Sequence, residues 1–443
     1  MHFKGLPHKK AFHMAWPMIL SNISAPLMGI VDTAMLGHLE SPLYLGAVAI
    51  GANILALLLW MFAFLRMGTT SFVGRAFGAG DTDLLQRQLG QSMALAVIAG
   101  FALIALQWLI VPIAIGWMAP NPEIAELATR YCHIRITAAP AAFITFVVIG
   151  LLIGLQNTRL PLVITVAANA LNIGLDVLFI MVFDWKSDGA AWATLIAEVF
   201  AGMLALWLGG YALRRYLNIR WHRPSLQSLL DGNAWAEQLR LHGDLFIRTA
   251  LLLFIFNFFT AQSGQLGPVV LAGNAILMQL VLFQSFGLDG YAHAAEAMGA
   301  KALGEKDLNG FKRSCGANFS AAIVLALVVS TGLLVVKQPL IGLFTNISAV
   351  AESVASHYHW LVLFPLVSVW TYILDGIFIG AGKTRIMLLT MVVAVFAGFL
   401  PLWWFTQALL NHGLWITFLI FNTIRGASLG WAFYTLSARH KWF

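Results

Sequence analysis

From Leu45 to Leu65 the chain carries no charged side chain, and comparable apolar runs recur at Ile23–Leu36, Phe143–Leu155 and Ala321–Val336. A helix crossing a bilayer needs about 20 such residues, whereas a helix on a soluble protein keeps one polar face. These runs therefore belong in lipid or against other apolar helices. Only 10% of the 443 residues are charged, far below the share of about 25% in soluble domains, so most of the chain shares that environment. Breaks at Gly, Pro and charged residues divide it into twelve expected helices. They lie at 14–37, 45–73, 90–117, 134–156, 160–183, 189–213, 245–263, 269–298, 318–344, 359–381, 387–409 and 413–437. The expected fold is an all-α integral membrane protein with twelve transmembrane helices. The first helix is too long for a signal-peptide core and contains Asp32, so it is expected to be a permanent span.

The formal charge of +7 is distributed as a topology signal rather than as a nucleic-acid footprint. With the amino terminus inside, Lys4, Lys9, Lys10, Arg75, Arg87, Arg159, Arg214, Arg215, Arg220, Arg223, Arg240, Lys301, Lys306, Lys312, Arg313, Lys383, Arg385, Arg439 and Lys441 fall on the cytoplasmic side. Arg130, Arg135, Lys186 and Lys337 fall on the other. That asymmetry places both termini in the cytoplasm and implies no nucleic-acid partner. Cys132 and Cys315 lack metal-ligand spacing and read as packing residues.

The second half repeats the first. Gly150, Gly154, Thr158 and Arg159 in IGLLIGLQNTR recur as Gly376, Gly380, Thr384 and Arg385 in DGIFIGAGKTR, an offset of 226 residues. The same offset pairs Gly78 with Gly304, Asp81 with Asp307, Glu126 with Glu352 and His133 with His359. Six spans per repeat return the chain to its starting side. The expected arrangement is two six-helix lobes related by a pseudo-two-fold axis along the membrane normal, residues 1–213 and 245–443, with a cytoplasmic linker at 214–244.

Carboxylates inside a bilayer are costly and usually serve ions, protons or substrates. Asp32 on the first helix and Asp176 on the fifth each lie about 15 residues past a proline near the inner end, Pro17 and Pro161, and so reach similar depth. Asn169, Asn172 and Asp176 stand at i, i+3 and i+7, one helical face able to hold a proton or a small cation; an inter-helix polar clamp is the structural alternative. Pro17 and Pro26 give the first helix places to bend. The second half offers Asp289, Glu296 and Asp375 as secondary candidates, with salt bridges from Arg248 or Arg425 to Asp289 and Glu296 as the structural alternative. Arg66, Arg425 and Glu198 are expected to pair among themselves. His13, His133, His293, His357 and His359 are scattered rather than spaced as metal ligands, and no resident metal or cofactor is expected.

These residues resemble the multidrug and toxic compound extrusion (MATE) family along nearly the whole chain, in its DinF-like branch. The likeness is carried by AWPMILSN, GIVDTAMLGHL, RAFGAGD, GLQNTRLP, NALNIGLDVLF, GAAWATLIAE, AEAMGAKALGEKD and LDGIFIGAGKTR. It implies alternating access between two lobes, with Asp32 as proton site, Asn172 and Asp176 as its fifth-helix partners, Thr194 on the sixth helix, and Pro17 at the bend. Asp32, Met28, Asn172, Asp176 and Thr194 are then expected to line a substrate cavity. Other branches use a tenth-helix aspartate for sodium, the position of Asp375, but the seventh-helix glutamate that accompanies it has no counterpart in FIRTALLLFIFNFF. The resulting expectation is a monomeric secondary transporter, not an enzyme, in a bacterial-type cytoplasmic membrane. It would export drugs and organic cations in exchange for H+, with Asp32 and Asp176 sharing one proton because both cannot stay ionised cheaply in a low-dielectric pocket. Sodium coupling and lipid-linked oligosaccharide flipping are the alternatives; a prenyl or phosphate transferase would need an aspartate-rich metal motif such as DDxxD, which the sequence lacks.

Overall fold

A computed structural model describes residues 7–36, 41–118, 121–219 and 232–442, without the side chains of 25, 27, 28, 30, 32–34, 233 and 234. The described residues are helical, with no strand among them. The long helices are α1 His8–Leu36, α2 Pro42–Ala79, α3 Thr82–Met118, α5 Arg159–Val182, α6 Lys186–Leu217, α7 Gly232–Gln265, α8 Pro268–Gly304, α9 Leu308–Val335 and α10 Ser348–Gly380. Helix α4 is a bent pair, Pro122–Ile136 and Ala139–Gly154, meeting at 51°. The stretch Thr384–Ala438 doubles back at Leu410, where φ is +52°. Its arms, α11 (384–406) and α12 (Leu410–Ala438), pack antiparallel: Thr406 Oγ1 meets Thr417 Oγ1 at 2.8 Å, and Phe399 meets Phe421 at a centroid distance of 5.8 Å. Counted this way, the spans are consistent with twelve.

Several boundaries differ from the hydropathy reading: the helices expected to begin at 90, 245, 318 and 359 begin at Thr82, Gly232, Leu308 and Ser348. Helix α4 starts at Pro122 because Asn121 caps it, Oδ1 accepting from Glu123 N at 2.8 Å; Glu123, Glu126 and Arg130 dilute the apolar signal of that first segment. The expected helix 318–344 is two elements, ending at Val335 and restarting as a short helix, Lys337–Phe344.

The repeat is visible in the backbone. Asp81 Oδ1 caps Leu84 N at 2.8 Å, and 226 residues on Asp307 Oδ1 caps Gly310 N at 2.8 Å. The left-handed turn at Gly80 (φ +68°) recurs at Lys306 (+56°), and that at Gln156 (+62°) recurs at Gly382 (+66°). A π-helical segment interrupts the same helix in each half, Val177–Val182 in α5 and Val393–Phe399 in α11.

The chain divides into two compact units, Leu20–His242 and Gly243–Phe443 together with Met1–Ile19. One cut falls inside α1, after Ile19, and the other inside α7, after His242 and so within the 214–244 stretch, of which 220–231 lies outside the described residues. Within the second unit, α1 lies so close to α8 that a Cβ on Gly290 would run into Ile19 and sit 2.9 Å from Ala15 O. Within the first, the start of α7 packs on α2 and α3. The His242 ring lies 5.2 Å from that of Phe64, and Gln238 Nε2 donates to Gln88 O at 2.9 Å. Cys132 and Cys315 are free and buried.

A closed amide network fixes the second unit. Asn274 Nδ2 donates to Ser263 Oγ and Asn411 Oδ1, each at 2.7 Å, while its Oδ1 accepts from Asn411 Nδ2 at 3.1 Å and Trp415 Nε1 at 3.0 Å. Asn274→Leu strips partners from three buried groups at once, and a buried donor left unmade costs about 1–3 kcal/mol. Thermal unfolding in detergent is expected to show a loss of about 2 kcal/mol; an unchanged midpoint would show that the network contributes nothing.

Candidate functional site

Helix α5 carries four polar side chains on one face, because Thr165, Asn169, Asn172 and Asp176 follow at i, i+4, i+7 and i+11. The inner pair clamps α1: Ser21 Oγ and Thr165 Oγ1 share a hydrogen bond at 2.9 Å, and Asn169 Nδ2 donates to Ser24 O at 2.8 Å. Further along, Asn172 turns to α6: its Nδ2 donates to Thr194 Oγ1 at 3.2 Å, and Thr194 Oγ1 donates to Ala190 O at 3.0 Å. Asn172, Asp176 and Thr194 are fully buried. The helix changes to π geometry at Val177, directly after Asp176, a deviation common at functional sites because it re-aims side chains.

The two α1–α5 clamps have sequence separations of 144 and 145 and advance in the same direction, so the two helices run parallel in a fixed register. Continued along α1, the same offset brings Met28 level with Asn172 and Asp32 level with Asp176. The side chains of Met28 and Asp32 lie outside the described residues. Pro17 is buried and Pro26 half-buried, and α1 is helical through both. Ser21, Ser24 and Thr165 were absent from the sequence-based site; the i+4 spacing of Thr165 before Asn169 was the available signal.

The second-half acids are engaged differently from expectation. Arg248 and Arg425 do not bridge to Asp289 or Glu296; both guanidiniums donate to Oδ2 of Asp375, Arg425 at 2.8 Å. Three helices, α7, α10 and α12, converge there, and distance along the chain could not foretell it. Glu296 instead meets His293 Nδ1 at 3.4 Å. In the first unit, Glu198 pairs with Arg135, a residue outside the expected three, at 2.7 Å. The histidines are less scattered than their spacing suggests, since His412 lies 4.3 Å from His357 and 5.7 Å from His359 by ring centroid. Among the described residues, however, no three His, Cys, Asp or Glu side chains are placed to hold a metal ion.

Two repeated helical halves with polar side chains gathered inside the membrane spans define a multi-pass membrane transporter. Comparison with known proteins gives its family: the MatE family model matches residues 17–178 and 245–404. The DNA damage-inducible protein F of Escherichia coli is 37% identical over 438 residues, 97% of this chain and 92% of that one. Multidrug resistance protein PmpM of Pseudomonas aeruginosa is 25% identical over 92% and 87%. The solved structure of an outward-facing multidrug resistance MATE family transporter of the MOP superfamily shares the fold, with a TM-score of 0.88 at 20% identity over 99% and 98%. The chain belongs to the MatE family of multidrug and toxin extrusion transporters, and it is a transporter rather than an enzyme.

Proposed function

We propose that this protein exports small organic cations and drugs by exchange for protons, using the carboxylates of Asp32 and Asp176. The observation that carries the reading is the α1–α5 register. Continued along α1, it supports a level for Asp32 matching that of Asp176, whose helix carries the fully buried Asn172–Thr194 hydrogen bond. Two carboxylates sharing one level of an apolar interior would favour a single shared charge, so taking up a proton and holding a cationic guest would exclude one another. Protonation would rearrange the hydrogen bonds at Asn172 and Thr194, and α1 would bend near Pro17 or Pro26 to close a cavity lined by Met28, Asp32, Asn172, Asp176 and Thr194. The clamps at Ser21 and Ser24 lie between the two prolines, so a bend there pulls directly on α5. The names of the relatives, multidrug resistance protein and multidrug and toxin extrusion protein, support the substrate class. The charge distribution supports a cytoplasmic membrane with both termini inside. The protein works as a monomer whose lobes are the two repeats.

Proton coupling is favoured over sodium because Asp375, the acid suited to a sodium site, already binds two guanidiniums. The deciding measurement is efflux of a fluorescent cation from proteoliposomes. An inward pH gradient alone should drive it, and an inward sodium gradient at equal pH should not. A membrane potential adds about 2.3 kcal/mol per charge per 100 mV, so it must be clamped. Efflux that follows sodium and ignores pH overturns the reading.

A further inference from the structure

The carboxyl end of α6 carries a groove that the proposed proton site does not use. Leu206, Trp207, Gly210, Tyr211 and Arg214 line an open cavity of about 490 Å³ on the exposed face of that helix. Trp207 and Tyr211, four residues apart and so on one face, are 69% and 51% exposed. Gly210 leaves the gap beside them. A glycine inside a membrane helix is unfavourable by itself and usually admits the backbone of a neighbouring helix. Gly210 admits none: among the described residues, a Cβ there would meet nothing within 4 Å.

Three arginines gather at the end of this groove. Arg214 and Arg215 stand in the last turn of α6, which stops at Asn218 with φ +55°. Asn157, in the turn between α4 and α5, donates from Nδ2 to Tyr216 OH at 2.9 Å, which brings Arg159, two residues on, to the same corner. All three arginines are exposed, and none makes an ion pair among the described residues. The negative end of α6 offsets part of the charge of Arg214 and Arg215, but Arg159 opens α5, whose amino end is itself positive. Positive charge is therefore in surplus beside an aromatic slot at the end of a span. We infer that this corner is a binding site for an anionic phospholipid, its phosphate held by Arg214, Arg215 and Arg159 and one acyl chain laid over Gly210 against Trp207 and Tyr211. The exposed face of a span meets lipid, so the bilayer supplies the occupant, and the arginines select the sign of its headgroup. Guanidinium forks suit phosphate oxygens, and indole and phenol rings settle at headgroup depth. The inference goes beyond the transport reading and is independent of which ion is coupled.

The test is thermal unfolding of the purified full chain in detergent, at constant ionic strength, with phosphatidylglycerol, phosphatidylcholine or inorganic phosphate added. Phosphatidylglycerol should raise the wild-type midpoint by several degrees, and neither the zwitterionic lipid nor free phosphate should move it. An arginine beside an anionic headgroup strengthens binding about fivefold, so replacing both Arg214→Gln and Arg215→Gln should raise the half-saturating lipid concentration about 25-fold. Gly210→Leu keeps every charge but fills the slot. It should blunt the lipid response while its lipid-free midpoint stays at or above that of the wild type, because the site has room for the side chain and leucine is the better helix former. A wild-type midpoint indifferent to phosphatidylglycerol overturns the inference, as does an equal rise with phosphatidylcholine or with phosphate alone. An undiminished response in the double arginine variant or in Gly210→Leu overturns it too, the latter by showing that charge alone, without the slot, attracts the lipid.

Discussion

Asp176→Asn should abolish pH-gradient-driven efflux while leaving a folded protein. Asparagine has nearly the volume of aspartate, so the packing of a fully buried site is conserved. It cannot ionise, so the shared charge loses half its seat. Removing a buried carboxylate also removes its desolvation cost, and the thermal midpoint is expected to hold or rise. The variant mimics the protonated state at this position, the state that releases the guest in the proposed cycle. Its affinity for a cationic dye should therefore fall, by about 5- to 150-fold if the coupling energy lies in the usual range of about 1–3 kcal/mol. The sign of the pH dependence follows. Dye binding to the wild type should weaken as pH falls and the acids protonate, whereas binding to Asp176→Asn should be flatter. Asn172→Leu would not share this signature, because it removes the hydrogen bond to Thr194 without removing a titrating group. Retention of wild-type efflux by a folded Asp176→Asn would eliminate this carboxylate from the coupling mechanism.

That prediction rests on a face of α5 that could be read from spacing alone, since a helix places residues at i, i+3 and i+7 together whatever it packs against. The repeat was equally legible. A fixed offset preserves turn chemistry, and the Asp81 and Asp307 caps have the same local geometry, each Oδ1 accepting from the backbone N three residues on. Partners contributed by other helices were another matter. Arg248, Asp375 and Arg425 come from three spans, and with Asp289 and Glu296 as rival acids the sequence held no term to choose among them. The α1–α5 clamps escaped notice because serine and threonine are ordinary in membrane helices, where their hydroxyls usually satisfy the preceding turn, as Thr165 also does toward Pro161 O at 3.1 Å. The π segment after Asp176 has no sequence signature at all: VLFIMV would continue an α-helix equally well. Local periodicity was thus readable, while the choice among competing long-range partners was not.

Gly376→Val is expected to eliminate folded protein, and the reason is geometric. A Cβ at Gly376 would run into the carbonyl oxygen of Ala292 on α8, and one at Gly380, a turn later, into that of Glu296. These obstacles are helix backbone, so no rotamer can relieve them and α8 and α10 would have to separate. In lipid, where apolar side chains gain little from leaving the solvent, close backbone approach at small residues is what holds helices together. Gly376→Ala should cost about 3 kcal/mol, at the upper end of overpacking penalties. The larger, β-branched valine should prevent assembly outright. The repeat supplies an internal check: Gly150, 226 residues earlier, presses on α2 in the same manner, with Arg66 O 2.5 Å from its would-be Cβ, so Gly150→Val should fail likewise. Gly174 on α5 has open space around it, and Gly174→Ala should be neutral or stabilising by up to about 1 kcal/mol, since alanine is the better helix former. Yield of monodisperse protein in detergent, with thermal unfolding of the survivors, separates these outcomes. If Gly376→Val is recovered with a wild-type midpoint, then α8 and α10 do not pack as closely as their glycines imply.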